Sequence, residues 1–432
     1  MIRLRSEQDK LHYPVPGICI ILACIYLSPM VGSLLNYAAF GLCIYRLIQY
    51  DERVFSIDYC CLISVATIFA LPKGLSLVVV LSLIAAVWFI FRDGLIADLP
   101  LVFLLVLACY LMVRMQQSVN NFVLCISQLL VIYLMVSSLD SHTIVLDIEA
   151  FVLSMFVSST YALIFRSSTQ IIRIIGNEVP AFWGSSLTRF QGLFRDPNYY
   201  MSLVIMSVVL LTLLRIQDHI PKHLFLISMG CMFVFGALTY SKTFVILLCL
   251  YWVLCVIYLF RSKRYFPAIA FIACTVCLAA ILANTLFAST IFRITSASSM
   301  SDLTTGRSTL AKTYLHEIKS SVRMMLLGAG MSAEILEKGT HNLFLEILYY
   351  VGLIGLGLYV FYVGALIIWV RKSYLTGKKP AALFNYSPLI VFIVLFCSLQ
   401  GMFSISVYAL LYLSIISIGI PKQNKFEGRG LL

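Results

Sequence analysis

Arg189, Gly192, Phe194, Arg195, Asp196, Pro197 and Asn198 form a cationic loop that leads straight into an apolar segment ending at Leu214. Far along the chain lies a second polar stretch, which holds Thr305, Gly306 and Arg307 and ends in His341 and Asn342. Arginine offers a planar fork of donors suited to phosphate and stays charged at any relevant pH. Fixed cations in a partly dry site stabilise the charge growing on a departing pyrophosphate without reorganising. A histidine near its unperturbed pKa accepts a proton from an attacking hydroxyl. No acidic cluster resembles the metal site of a nucleotide-sugar enzyme, and no phosphate-cradling glycine loop follows a strand-like run. The residues therefore point to a lipid-borne phosphate ester rather than a soluble nucleotide.

The elements that must position these residues are membrane helices. Hydrophobic residues make up 61% of the chain and charged ones 12%, against about 25% charge in a soluble domain. The mean hydropathy is +0.97. A helix needs about 20 apolar residues to cross the hydrocarbon. Cutting at polar, Pro and Gly punctuation gives runs at 15–31, 33–49, 57–71, 74–91, 95–113, 120–138 and 143–165. The second half gives 198–214, 223–239, 243–260, 265–288, 343–369, 386–402 and 404–420. The expectation is an all-α, polytopic integral membrane protein of about fourteen transmembrane helices, with the first run retained rather than cleaved as a signal.

A net charge of +12 implies membrane anchoring here, and no nucleic acid. Arg261, Lys263, Arg264, Arg371, Lys372, Lys378, Lys379, Lys422, Lys425 and Arg429 all flank apolar runs, as cytoplasmic anchors do under the positive-inside rule. That rule puts both termini in the cytoplasm and two long loops, 166–197 and 289–342, on the outer face. The chain thus divides into N-terminal membrane helices (1–165), the first outer loop, central helices (198–288), the second outer loop, and C-terminal helices with a cytoplasmic tail (343–432). From Gly306, apolar residues Leu310, Tyr314, Ile318, Val322 and Met325 recur at helical spacing. An amphipathic helix on the outer membrane surface is expected there, either a lid over a cavity or a packed connector. The thirteen cysteines sit almost entirely in apolar runs and read as small core residues, including the pair Cys274 and Cys277.

At this point the residues resemble a family. Arg189, Gly192, Phe194, Asp196, Pro197 and Asn198 at a helix start come first. Leu238, Thr239, Ser241, Lys242 and Thr243 follow at a later helix end. Then come Thr305, Gly306 and Arg307, Gly328 and Gly330, and finally His341, Asn342 and Leu345 leading to Gly352 and Gly355. In this order they resemble the O-antigen ligase and Wzy-type polysaccharide polymerase superfamily of bacterial inner membranes, over about residues 185–370. The resemblance implies a metal-independent glycosyltransferase that draws on undecaprenyl-pyrophosphate-linked oligosaccharide at the outer face of the plasma membrane. It implies donor-pyrophosphate contacts for Arg189 and Arg307, and a catalytic role for His341. The family's helix-end arginine falls on Lys242, which keeps the charge and loses the bidentate fork. The flippase and the chain-length regulator of the same pathway would be its protein partners.

Each residue has a structural alternative. Arg189 could be a snorkelling anchor, Lys242 a helix-end cap and Arg307 an ordinary surface arginine. Asp196, Pro197 and Asn198 read equally as a helix cap, with Arg195 close enough to join a phosphate site. Asn342 accompanies His341. Glu346 falls a turn into an apolar run, where a carboxylate is costly unless paired or facing a cavity. It either orients an acceptor sugar, pairs with an outer cation, or bonds a neighbouring helix. Asp98 reads as structural, near the membrane edge. A polymerase would use a lipid-linked acceptor, and a ligase a lipid A-core sugar or a protein; the basic first loop favours the polymerase. The rival of another class is a transporter of lipid-linked oligosaccharide, which would place charges through both bilayer halves.

Overall fold

The computed structural model describes residues 15–71, 76–95, 97–115, 118–176, 180, 188–273, 290–291, 295, 306–331, 336, 339–374, 384–399 and 401–422. Thr305, Cys274, Cys277, both termini and most of the expected run 265–288 lie outside them; 265–273 is helical. The helices are α1 (Val15–Val31), α2 (Leu34–Gln49), α3 (Glu52–Ile63), α4 (Leu77–Asp93), α5 (Leu99–Met115), α6 (Val119–Ser138), α7 (Ser141–Ile164) and α8 (Thr169–Ile175). They continue with α9 (Pro197–Ile216), α10 (Lys222–Leu238), α11 (Lys242–Arg261), α12 (Arg307–Ile318), α13 (Val322–Leu327), α14 (Leu343–Tyr374), α15 (Ser387–Phe396) and α16 (Ile405–Ile416). Among the described residues extended pairing is confined to two isolated bridges, Ala70 with Ser76 and Pro180 with Thr188.

Five helices, α6, α7, α9, α11 and α14, are long and apolar enough to cross a membrane; α1, α5, α10, α15 and α16 are shorter and apolar. The helix ends match the apolar runs closely, with four differences. The run 57–71 begins earlier, at Glu52, and its helix stops at Ile63. The run 386–402 keeps helix only to Phe396. The amphipathic stretch divides into α12 and α13, because Ser321 turns extended and caps α13 by accepting from Met324 N–H. The run 343–369 is broken at Gly352.

Burial separates the inside of the bundle from its rim. Every residue of α9 from Tyr200 to Leu214 is buried, as in a helix that is apolar all round and surrounded by others. On α11 only Phe244, Leu247, Leu248, Tyr251 and Cys255 are buried, one stripe at helical spacing, while Ile246, Val253 and Ile257 face outward. Polar groups inside the bundle are mostly paired, as a medium without water requires. Arg46 grips Asp58 with Nε and Nη2 at 2.7 and 2.8 Å, and Ser56 and Tyr412 donate to Asp147 at 2.9 and 2.5 Å. Among the described residues Tyr26, Trp88, Gln128 and Ser387 each leave a buried polar atom unbonded, and Glu149 leaves both carboxylate oxygens so.

The break in α14 is fully accounted for by hydrogen bonds. Gly352 takes φ +66°, which frees the carbonyls before it. Ala329 N–H donates to Tyr349 O and Gly330 N–H to Tyr350 O, at 2.8 and 2.9 Å, and Tyr110 Oη donates to Val351 O at 2.6 Å. The segment after α13 therefore docks on the kink, backbone against backbone. Arg114 Nη2 fixes its other side by donating to Gly328 O at 2.7 Å.

Loops sort to two ends. At one end Arg53 pairs with Asp140 at 2.8 Å, Arg92 with Glu52 at 3.1 Å, and Gln217 Nε2 donates to Asn385 Oδ1 at 2.8 Å. The segments 188–198, 239–242, 306–331, 339–346 and 397–404 meet at the other, through contacts set out below.

A Cβ on Gly352 would lie 2.3 Å from Leu326 O, in a backbone region that costs an L-residue about 1–2 kcal/mol. Gly352→Ala should therefore lower stability by at least about 2 kcal/mol. Gly357→Ala, on the same helix with nothing within 4 Å of its Cβ, should be neutral or stabilising. Thermal unfolding of the two variants in nanodiscs checks the contrast.

Candidate functional site

The first turn of α9 is the junction of the site. Asp196 caps it by accepting from Asn198 N–H at 2.7 Å, with Pro197 in the first helical position, where its missing N–H costs nothing. The approach to this turn depends on Gly192, whose φ is +56°; a Cβ there would lie 2.4 Å from the Tyr200 ring. The Tyr200 hydroxyl in turn donates to Ser159 on α7 at 2.8 Å.

Arg189 is a strut. Its Nε donates to Thr239 O and its Nη2 to Asn198 Oδ1, both at 2.8 Å, while Phe190 N–H donates to Leu238 O at 2.9 Å. A guanidinium at the end of α10 sits where helix carbonyls favour a cation. It also joins the α10–α11 turn to the start of α9. In that turn Tyr240 takes φ +48°, and Lys242 follows, half-buried, as the first residue of α11. A cation at a helix N-terminus adds to the positive end of the dipole instead of offsetting it. Arg195, on the same loop, is exposed and makes no hydrogen bond or ion pair among the described residues.

The second cluster closes on the turn between α15 and α16. Arg307, the first residue of α12, donates from Nη1 to Ser398 O at 2.8 Å, and its other N–H groups have no hydrogen-bond partner among the described residues. Burial draws its pKa below the ordinary arginine value, while Asp196 pushes it back up; a guanidinium still stays charged. Asn342 caps α14 by accepting from Leu345 N–H at 3.0 Å, and its Nδ2 donates to Cys397 O at 3.0 Å. Glu346 Oε2 accepts from Gly401 N–H at 2.6 Å and from Met402 N–H at 2.9 Å. His341 is half-buried and takes φ +50°, a left-handed conformation uncommon outside glycine and Asn, Asp or His.

The two clusters meet through α9. Asp196 lies within electrostatic reach of Arg307, and Tyr199 within reach of Glu346. The position a Gly401 Cβ would occupy is 3.5 Å from Tyr199 Cε1. The N-termini of α9, α11, α14 and α16 share this end, which makes it electropositive before any side chain is counted. The chemistry it supports is the holding of an anion beside a carboxylate and an imidazole. Among the described residues no three His, Cys, Asp or Glu side chains gather closely enough to hold a metal ion.

All the expected site residues therefore fall at this end, in different roles. Asn198 and Arg189 hold each other, whereas Arg307 and Arg195 keep donors available. The sequence reading missed Cys397, Ser398 and Met402 and gave Thr239 no role of its own; all four act through backbone atoms that carry no sequence signal. It also missed Tyr199; that ring lies one residue past the recognised turn. Asp98, expected to be structural, accepts from Leu101 N–H at 2.9 Å at the start of α5. No protein-family model, no curated protein and no solved structure matches this chain.

If Arg189 is a strut, it and Asn198 must be coupled in stability. A double-mutant cycle of Arg189→Ala and Asn198→Ala should give a coupling of about 1–2 kcal/mol, measured by unfolding in nanodiscs. Strict additivity would contradict the strut.

Proposed function

We propose that this protein is a metal-independent glycosyltransferase of the bacterial plasma membrane, with about fourteen spans, both termini in the cytoplasm and the cationic site on the outer face. It transfers an undecaprenyl-pyrophosphate-linked glycan to a sugar hydroxyl of a lipid-linked acceptor, as an O-antigen, capsule or exopolysaccharide polymerase does. The observation that carries this reading is the convergence of two loops more than a hundred residues apart in sequence, at one electropositive end of an apolar bundle.

In this reading Arg307, with Arg195 and Lys242, holds the pyrophosphate and takes up the charge that grows as the C1–O bond breaks. Arg189 and Asn198 keep the α10–α11 turn in place, so Lys242 faces the site. His341, Asn342 and Glu346 form the acceptor side. The hydroxyl attacks the anomeric carbon as the lipid pyrophosphate departs, and a single displacement inverts that carbon. A ligase would run the same step with a lipid A-core or protein acceptor. The pathway's flippase would deliver the donor and its chain-length regulator would act on the product.

A transporter of lipid-linked oligosaccharide is the second reading, and one observation favours it. Asp58, Asp147 and Glu149 lie inside the bundle away from the cationic end, and intramembrane acids commonly mark transport paths. Asp58 and Asp147 are paired to Arg46, Ser56 and Tyr412, which suits helix packing better than a substrate path.

The test uses purified protein in nanodiscs with a defined undecaprenyl-pyrophosphate oligosaccharide and EDTA. Wild type should build ladders of repeat units on one lipid. Arg307→Ala should slow this about 100-fold or more, and His341→Ala should also impair it. Substrate that crosses the bilayer unchanged, equally in both variants, would leave the transporter.

A further inference from the structure

Glu346 is a carboxylate of the site held on one oxygen and open on the other. Its Oε2 carries both backbone bonds from Gly401 and Met402, at 2.6 and 2.9 Å. Its Oε1 accepts no hydrogen bond among the described residues, and unlike both oxygens of Glu149 it is not sealed from solvent. Two N–H groups on one oxygen fix the plane of the carboxyl, so Oε1 projects in a set direction from a helix that Asn342 caps one turn earlier. A base that works must be both reachable and held in place.

What surrounds this oxygen suits a saccharide. Tyr199 on α9, Tyr314 on α12, Tyr350 on α14 and Tyr408 on α16 all lie within electrostatic reach of Glu346. Tyr314, Tyr349, Tyr350 and Phe403 form a continuous aromatic row, with centroids 5.0, 5.4 and 5.5 Å apart in turn. Tyr199 and Phe403 are half-buried and offer ring surface, while the others back them. A sugar ring lays its C–H face on such rings and donates its hydroxyls to a carboxylate, the mix of apolar wall and few polar groups typical of ligand sites.

Resting on the glycosyl-transfer reading, we propose that Glu346 Oε1 is the base for the acceptor sugar and that the Tyr199–Phe403 side is the acceptor subsite. The acceptor oxygen bonds to the anomeric carbon as the C1–O bond to the pyrophosphate breaks, with that electron pair leaving on phosphate. The hydroxyl proton passes to Glu346 Oε1, giving a carboxylic acid that later yields it to water. His341 stays on the acceptor side as a hydrogen-bond donor to the sugar.

The deciding variant is Glu346→Gln. Its amide oxygen can keep the bonds from Gly401 and Met402, and the open position then carries an NH2 that cannot take a proton. In nanodiscs the variant should unfold like wild type and bind donor lipid with unchanged affinity, while kcat falls about 100-fold or more. A kcat within about threefold of wild type, with fold and donor binding intact, would reduce Glu346 to a staple for the turn. The pH dependence of His341→Gln gives a second measure that does not depend on the fold of Glu346→Gln. The groups facing Glu346 are Tyr199 on α9, Tyr314 on α12, Tyr350 on α14 and Tyr408 on α16. A carboxylate base gives kcat an acid limb of its own. The acid limb of kcat should persist in His341→Gln; its disappearance would make His341 the base. Wild type that transfers nothing would instead remove the glycosyl-transfer reading itself.

Discussion

The turn between α15 and α16 is the constraint on which the site depends. Its carbonyls at Cys397 and Ser398 and its N–H groups at Gly401 and Met402 sit at helix ends, where no intrahelical partner exists. In an apolar bundle each unmet group costs several kcal/mol. Asn342, Arg307 and Glu346 meet them, the cation at the end of α15 and the carboxylate at the start of α16. Both placements follow the helix dipoles. The same four bonds that satisfy the turn bring α12 and α14 against the first turn of α9.

A second break, at Gly352, keeps that arrangement in register. The carbonyls it frees hold the 328–331 segment, and Arg114 holds the segment's other side. The stretch between α12 and α14 is thereby tied down at the far end from Arg307. Irregular backbone at this depth persists only where protein supplies every partner. The same rule leaves donors of Arg307 and one oxygen of Glu346 without a hydrogen-bond partner among the described residues.

Much of this was legible in the chain. Apolar runs located the helices because 20 residues of hydrocarbon span leave a long signal, and Asp196 with Pro197 marked the start of α9 to the residue. The motif residues fall together at one end of the bundle. Roles were less legible. Arg189 was read as a phosphate grip; its Nε and Nη2 also brace the site, and the atoms they hold, Thr239 O and Asn198 Oδ1, come from a turn 50 residues away and from its own loop. The kink at Gly352 was hidden, since glycine is common in membrane helices and only its contact with Leu326 demands a positive φ. Asp58, Asp147 and Glu149 sat in runs read as apolar, and only burial brings them out.

The central claim is that the two distant loops make one anion site. A photoreactive undecaprenyl-pyrophosphate analogue, bound to the full chain in nanodiscs and mapped by mass spectrometry, tests it directly. Adducts should appear together on the 189–199 and 307–346 segments and vanish when unlabelled lipid pyrophosphate competes. Adducts on one segment alone, or along α3 and α7 around Asp147, would contradict a shared site.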